Sequence, residues 1–187
     1  MTILRLTDYK RMPWKNGGGE TLEIAIFPPD APVGEFDWRI SMATVATDGP
    51  FSRFPQIDRT IAIIDGDAIT LSVEGLPPVL LDQNADSYAF PGDAPTSGRL
   101  RDGPIIDLNV MVRRGLSHSV RRMDARDLRQ LETAVPFRFI VALDEVTLRV
   151  DAEDVVLQRH DTLDLSGAVM PAVVGEVSGM VLLIAIG

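Results

Sequence analysis

Three stretches of the chain gather side chains able to act on a small polar molecule. In residues 36–46, Arg39 and Ser41 stand two apart in a strand-like alternation, so both project from one face. Residues 105–112 form an apolar run interrupted by Asp107 and Asn109, again two apart, and polar groups in so hydrophobic a strand need partners once buried. Ahead of a run of three glycines, Trp14, Lys15 and Asn16 bring an aromatic face, a cation and an amide. A guanidinium fork suits a carboxylate or phosphate, while amides and hydroxyls set orientation. Each group also has a plainer reading. Arg39 and Ser41 are merely solvated if their face looks outward, Asp107 can pair with Arg59 or Arg39, and Gly17, Gly18 and Gly19 can be a simple turn. A phosphate loop is disfavoured, because the Gly-x-x-x-x-Gly-Lys-Ser/Thr spacing is missing and the lysine precedes the glycines.

Composition removes several other chemistries. With no cysteine, thiol catalysis, disulfides and zinc–thiolate sites are excluded. The two histidines, His118 and His160, are too few for a multi-histidine metal centre. Both read better as surface or packing residues than as catalysts. No Ser-His-Asp or Cys-His set presents itself, which favours binding over catalysis. A net charge of −9 argues against nucleic acid and anionic membranes, yet local arginines can still hold a small anion. At 187 residues, 45% hydrophobic and 24% charged, the chain is globular by composition. No basic segment followed by an apolar core begins the sequence, and no apolar run is long enough to span a bilayer, so a cytoplasmic protein is expected.

The elements that must position these residues read as strands throughout. Residues 21–27 alternate polar and apolar, and residues 28–34, rich in proline, form a loop. Residues 36–46 then sort into a greasy face (Phe36, Trp38, Ile40, Met42) and the face carrying Arg39 and Ser41. Asp48-Gly49-Pro50 is a turn, and residues 60–64 are β-branched at four of five positions, as in a strand buried on both faces. Asp65-Gly66-Asp67 reads as a hairpin turn into a returning strand at 68–73. Residues 79–82 are a short strand. Residues 116–132 are charged, with a strand or a short helix near 125–131.

The loop, strand, glycine turn and second strand at 48–73 resemble the first motif of the cupin β-barrels. That motif's metal-binding glutamate falls at Arg59, and its histidines at Arg53 and Pro55 or at Ser52 and Phe54, none of them a metal ligand. Tyr88-Ala89-Phe90-Pro91-Gly92-Asp93 resembles the second motif, whose last histidine is replaced by Pro95 or Thr96. The resemblance therefore implies a cupin without its metal, with Arg59 in the barrel mouth or paired with Asp58 or Asp107.

Six segments in order make the likeness more specific: Trp14-Lys15-Asn16-Gly17-Gly18-Gly19, Phe36-x-Trp38-Arg39-Ile40-Ser41, Asp48-Gly49-Pro50-Phe51-Ser52, Asp58-Arg59, Gly92-Asp93 and Gly103-Pro104-Ile105-x-Asp107-x-Asn109-Val110-Met111. Together they resemble the HutD/Ves family, cupin-like proteins of bacterial histidine-utilisation genes or stress responses. The likeness covers residues 1–115 closely. Residues 116–187 repeat the first half faintly, with aliphatic residues at its polar positions.

The resemblance implies an all-β fold of cupin type with jelly-roll sheets and little helix, arranged as a double barrel or bicupin. Its first barrel (1–115) would carry the site, and its second (116–187) would be degenerate, with the N-terminal strand free to pair across. It further implies a metal-independent site for a small carboxylate such as formiminoglutamate, with the protein regulating or buffering histidine utilisation. The expected ligand contacts are Trp14, Lys15, Asn16, Arg39, Ser41, Arg59, Asp107 and Asn109. No cofactor is expected. Two rivals stand beside this reading: a metal-free isomerase or epimerase drawing on Asp107, Asp58, Asp48 or Lys15, and a stress-related interaction protein. Exposed sheet edges leave room for a homodimer, though nothing in the sequence fixes the assembly.

Overall fold

The computed structural model of the chain describes residues 1–14, 18–130, 135–167 and 173–187. Lys15, Asn16 and Gly17, three of the residues singled out above, lie outside the described residues. In chain order the strands are β1 (Thr2–Leu4), β2 (Lys10–Pro13), β3 (Gly19–Phe27), β4 (Trp38–Val45), β5 (Gly49–Pro50), β6 (Ile57–Asp65), β7 (Ala68–Val73), β8 (Val79–Asp82) and β9 (Tyr88–Pro91). They continue with β10 (Thr96–Leu100), β11 (Ile105–Arg113), β12 (His118–Asp124), β13 (Phe137–Ala142), β14 (Val146–Val150), β15 (Glu153–Leu157), β16 (Thr162–Asp164), β17 (Val173–Gly175) and β18 (Met180–Ile186). Helix among the described residues is limited to two 3₁₀ turns, Leu6–Asp8 and Ala125–Gln130. None is long and apolar enough to cross a membrane. The charged stretch after residue 116 thus holds both a strand and a short helical turn.

The chain divides into two compact units, one of Lys10–Gly115 and one of Met1–Tyr9 with Leu116–Gly187. The first has a six-stranded antiparallel sheet, β2-β3-β4-β11-β6-β9, and a four-stranded one, β5-β10-β7-β8. Its central strand β6 follows from composition. Five of its nine residues are β-branched, and the run from Ile57 to Ile64 is buried apart from the half-buried Asp58. Apolar residues of both sheets meet in one cluster: Val45, Ile61, Ile63 and Ile105 against Ile69, Leu71, Val73 and Leu81. The face of the six-stranded sheet that carries Ile61 and Ile63 therefore looks inward. Its other face is equally dry, with Trp38, Ile40, Met42, Ala62, Leu108 and Val110 all buried.

Gly66 explains the sharp exit from β6. Its φ is +85°, and a Cβ there would lie 2.7 Å from the Ile105 Cα. The turn does not make the expected hairpin. β6 pairs with β11 and β9, whereas β7 pairs with β10 and β8, so residues 65–67 carry the chain from one sheet to the other.

The second unit has a five-stranded sheet, β1-β16-β13-β18-β12, and a three-stranded one, β15-β14-β17. Strand β1 pairs antiparallel with β16, setting Ile3 opposite Leu163. Asp161 fixes the entry to that strand by accepting from the Leu6 amide at 3.0 Å and from Arg5 at 2.6 Å. The Tyr9 hydroxyl donates to the His160 carbonyl at 2.8 Å, which places His160 in the structural frame of this unit. His118 lies on β12 opposite Ile186.

Candidate functional site

Register brings the polar residues of three strands onto one inward face. On β11, Asp107, Asn109 and Met111 stand opposite Ala43, Ser41 and Arg39 of β4 and opposite Ile63, Ile61 and Arg59 of β6. The two arginines thus flank Met111 from either side, about 10 Å apart at the backbone given the strand spacing. This face and the segment 47–54 enclose a cavity of about 500 Å³ lined by Trp14, Thr21, Arg39, Ser41, Arg59, Asp107 and Asn109, among others. Asp48, Gly49, Pro50, Phe51 and Phe54 form its rim. That rim is tied down by backbone bonds from Phe51 to Thr96 at 2.9 Å and from Phe54 to Gly92 at 2.8 Å.

Arg59 is 7% exposed. Its guanidinium lies 4.8 Å from the Phe51 ring centre and 5.5 Å from that of Phe90, which shields the cation on two sides. Its Nε donates to Asn109 Oδ1 at 2.8 Å, and its Nη2 donates to the same oxygen. Because Oδ1 is occupied, the Asn109 amide turns its Nδ2 to Asp107, donating to Oδ1. The result is a relay from Arg59 through Asn109 to Asp107. No ion pair joins Asp107 to Arg59 or Arg39 among the described residues, and Asp58 pairs instead with Arg114 at 3.2 Å. Arg39 takes a different partner, donating from Nε to Glu23 Oε2 at 2.7 Å.

Burial governs the charges here. It pushes the Asp107 carboxyl up to about 7, against the opposing pull of Arg59 and the Asn109 hydrogen bond. It brings Arg59 down to about 10, which leaves the guanidinium charged at neutral pH. Asp107 Oδ2 is buried without a hydrogen-bond partner among the described residues.

Of the eight residues singled out from the sequence, six (Trp14, Arg39, Ser41, Arg59, Asp107 and Asn109) line this one cavity. Trp14 contributes its ring and is held by an Nε1–H bond to Thr21 Oγ1 at 2.9 Å. Gly19 lets that corner close, because a Cβ there would lie 3.1 Å from the Thr44 carbonyl carbon and 3.2 Å from the Trp14 ring. Three participants went unread. Glu23 is the counter-charge of Arg39, and the rings of Phe51 and Phe90 both lie against the Arg59 guanidinium. The alternation of residues 21–27 contained the signal for Glu23, since Thr21 and Glu23 fall on the face that also carries Ser41. Metal-ligand sets are absent among the described residues: no group of three His, Cys, Asp or Glu side chains comes together.

The HutD family model matches residues 6–181. Curated relatives include Protein Ves of Cronobacter sakazakii, 39% identical over 111 residues, which are 57% of this chain and 59% of the relative. Another is an uncharacterised 21.2 kDa protein of the hutC 3′ region of Pseudomonas putida, 41% identical over 113 residues, or 59% of this chain and 57% of the relative. The match thus spans less than two thirds of the length of these relatives. Among solved structures, a conserved protein of unknown function from Pseudomonas aeruginosa PAO1 superposes with a TM-score of 0.88 at 28% identity, covering 99% of this chain and 97% of the other. HutD from Pseudomonas fluorescens SBW25 superposes with a TM-score of 0.76 at 30% identity, with the same coverage. A cupin 2 conserved barrel protein from Leptotrichia buccalis, 14% identical, has a TM-score of 0.57 over 89% of this chain and 88% of its own, a likeness of fold alone. The protein is all-β with a cupin-type fold, and it belongs to the HutD family.

Proposed function

We propose that the cavity of the Lys10–Gly115 unit binds a small carboxylate without a metal, and that the protein senses or buffers a metabolite of histidine utilisation. Formiminoglutamate is the type of ligand expected. One observation carries this reading. Arg39 and Arg59 reach one cavity from two strands, and the hydrogen bonds each makes to described residues leave part of its N–H fork over. Hydrogen bonds to a charged partner contribute about 1.5–3 kcal/mol each when formed out of water. Ser41 and Trp14 would orient the rest of the molecule. The link to histidine utilisation rests on family membership and on the hutC-region relative.

Calorimetric titration with formiminoglutamate, glutamate and formate tests the reading, formate being the condition named for the P. fluorescens HutD structure. Saturable binding of formiminoglutamate that weakens by more than roughly tenfold in a folded Arg59→Gln variant is the expected result. Equal binding by that variant, or no binding of any of the three, overturns it.

A second reading draws on Asp107, a buried carboxyl held near neutrality as a general acid–base group should be. It makes the protein an isomerase- or epimerase-type enzyme acting on the same ligand. Product analysis of the titration mixtures separates the two, since a sensor returns its ligand unchanged.

A further inference from the structure

The two oxygens of Asp107 differ. Oδ1 accepts from Asn109, whose amide orientation is dictated by the two Arg59 N–H groups on its own oxygen. Oδ2 has no hydrogen-bond partner among the described residues, so it is the oxygen free to carry a proton. Among the described residues, four charged groups besides Asp107 line the cavity or contact its lining: Arg59, Arg39, Glu23 and Asp48. β6 presents Arg59, with the apolar Ile63 directly alongside, and β4 presents Arg39, with Ala43 alongside. β3 presents Glu23, engaged with Arg39, and the cavity rim presents Asp48, which accepts from the Leu100 amide at 2.7 Å. The four-stranded sheet contributes apolar side chains to the cluster beside the cavity. Among the described residues, only Arg59 of these charged groups is joined to Asp107 by hydrogen bonds, and only through Asn109.

A carboxylate entering the cavity would therefore compete with Asp107 for one guanidinium. The newcomer reaches Arg59 directly, whereas Asp107 reaches it through a neutral amide. Two carboxylates sharing one buried cation do not both stay ionised, and the one with the poorer contacts takes the proton. We propose that binding of a ligand carboxylate at Arg59 is accompanied by uptake of one proton on Asp107 Oδ2, making Asp107 the residue that sets the pH range over which the site binds. The inference rests on the carboxylate reading above and adds its regulation. Burial already holds the Asp107 carboxyl at about 7 in the free protein, so the uptake falls in the neutral range. Below that value the proton is already in place and affinity is level. Above it, affinity falls by up to roughly tenfold per pH unit, until Asp107 ionises in the complex as well.

Formate is the probe, since it has no titrating group between pH 6 and 9. Its Kd is read by NMR titration across that range in the wild type and in Asp107→Asn, and the ¹³Cγ shift of Asp107 is followed with and without saturating formate. The expected result is a Kd roughly tenfold higher at pH 8.5 than at pH 6.5 in the wild type. The ¹³Cγ midpoint should move to higher pH with formate, and the Asp107→Asn profile should be level whatever its absolute affinity. The ¹³Cγ measurement needs only the wild-type protein, so it decides the matter even if the variant folds poorly. A level wild-type profile, or a ¹³Cγ midpoint unmoved by formate, overturns the proton uptake and leaves the carboxylate site standing. No formate binding at any pH overturns the proton uptake, and the carboxylate site falls with it if formiminoglutamate and glutamate fail to bind as well.

Discussion

Replacing Asp107 by asparagine should stabilise the protein in a strictly pH-dependent way, and the size of the effect follows from the site. In the unfolded chain this carboxyl has its ordinary value of 3.8, and folding raises it to about 7. Below about pH 4 both states hold the proton, and the group costs nothing. Between about pH 4 and pH 7 the unfolded chain ionises while the folded one stays protonated. The folded state binds more protons there, so its stability falls as pH rises. At about 1.4 kcal/mol for each tenfold change in proton affinity, the full loss above pH 7 is about 4 kcal/mol. Asparagine cannot ionise and escapes that loss. Its own amide at the Oδ2 position costs the same at every pH, so the quantity to follow is the change in the stability gap. From pH 4.5 to pH 8.0 the gap should move by about 3 kcal/mol in favour of the variant. Urea unfolding followed by tryptophan fluorescence reads this directly, because both tryptophans, Trp14 and Trp38, lie in the Lys10–Gly115 unit. Other carboxylates titrate equally in both proteins and cancel. A gap that moves by less than about 1 kcal/mol would refute the argument that burial outweighs Arg59 and the Asn109 hydrogen bond at Asp107.

Further substitutions test the remaining supports. Asn109→Leu keeps the volume but strips Arg59 of its acceptor and Asp107 of its donor, and should cost about 3–5 kcal/mol in urea unfolding. A cost under about 1 kcal/mol would show that the relay contributes little. Gly66→Ala combines a φ of +85° with a Cβ pressed onto residues 104 and 105, and a loss of about 2–4 kcal/mol is expected by the same assay. Asp161→Ala removes the acceptor for the Leu6 and Gln158 amides, each at 3.0 Å. It should cost about 2–3 kcal/mol, and hydrogen exchange at Ile3 and Leu4 should quicken while amides of β6 keep their protection.

The strands of the Lys10–Gly115 unit were largely legible, because alternation and β-branching are local signals. Residues 79–82 and 105–112 show this, appearing in the structure as β8 and β11. Which face of β4 looks inward was not legible. Alternation decides that question only when one side is wet, and here Trp38, Ile40 and Met42 on one side are as buried as Arg39 and Ser41 on the other. Glu23 escaped notice for the same reason, since a glutamate on an alternating strand normally faces water. The register also slips beside it, between Glu23 and Ala25, so a strict count of two loses the face. Arg59 was found through its place in a family pattern, and its aromatic contacts were not, because Phe51 and Phe90 come from a rim segment and an edge strand 39 residues apart. Pairing across sheets, as at the Gly66 turn, depends on partners that no local window contains.

The placement of β1 has a consequence for synthesis. Its partner β16 lies more than 150 residues downstream, so β1 finds its place only after the whole intervening stretch has been made. Residues 10–115 form a compact unit interposed between the two, in the manner of a guest domain within a discontinuous host. Closing a loop of that length through an unfolded chain carries an entropic cost that grows with the logarithm of its length. A guest that folds first replaces most of that loop with a body whose entry at Lys10 and exit at Gly115 are already fixed, so the host has far less chain left to order when β16 emerges.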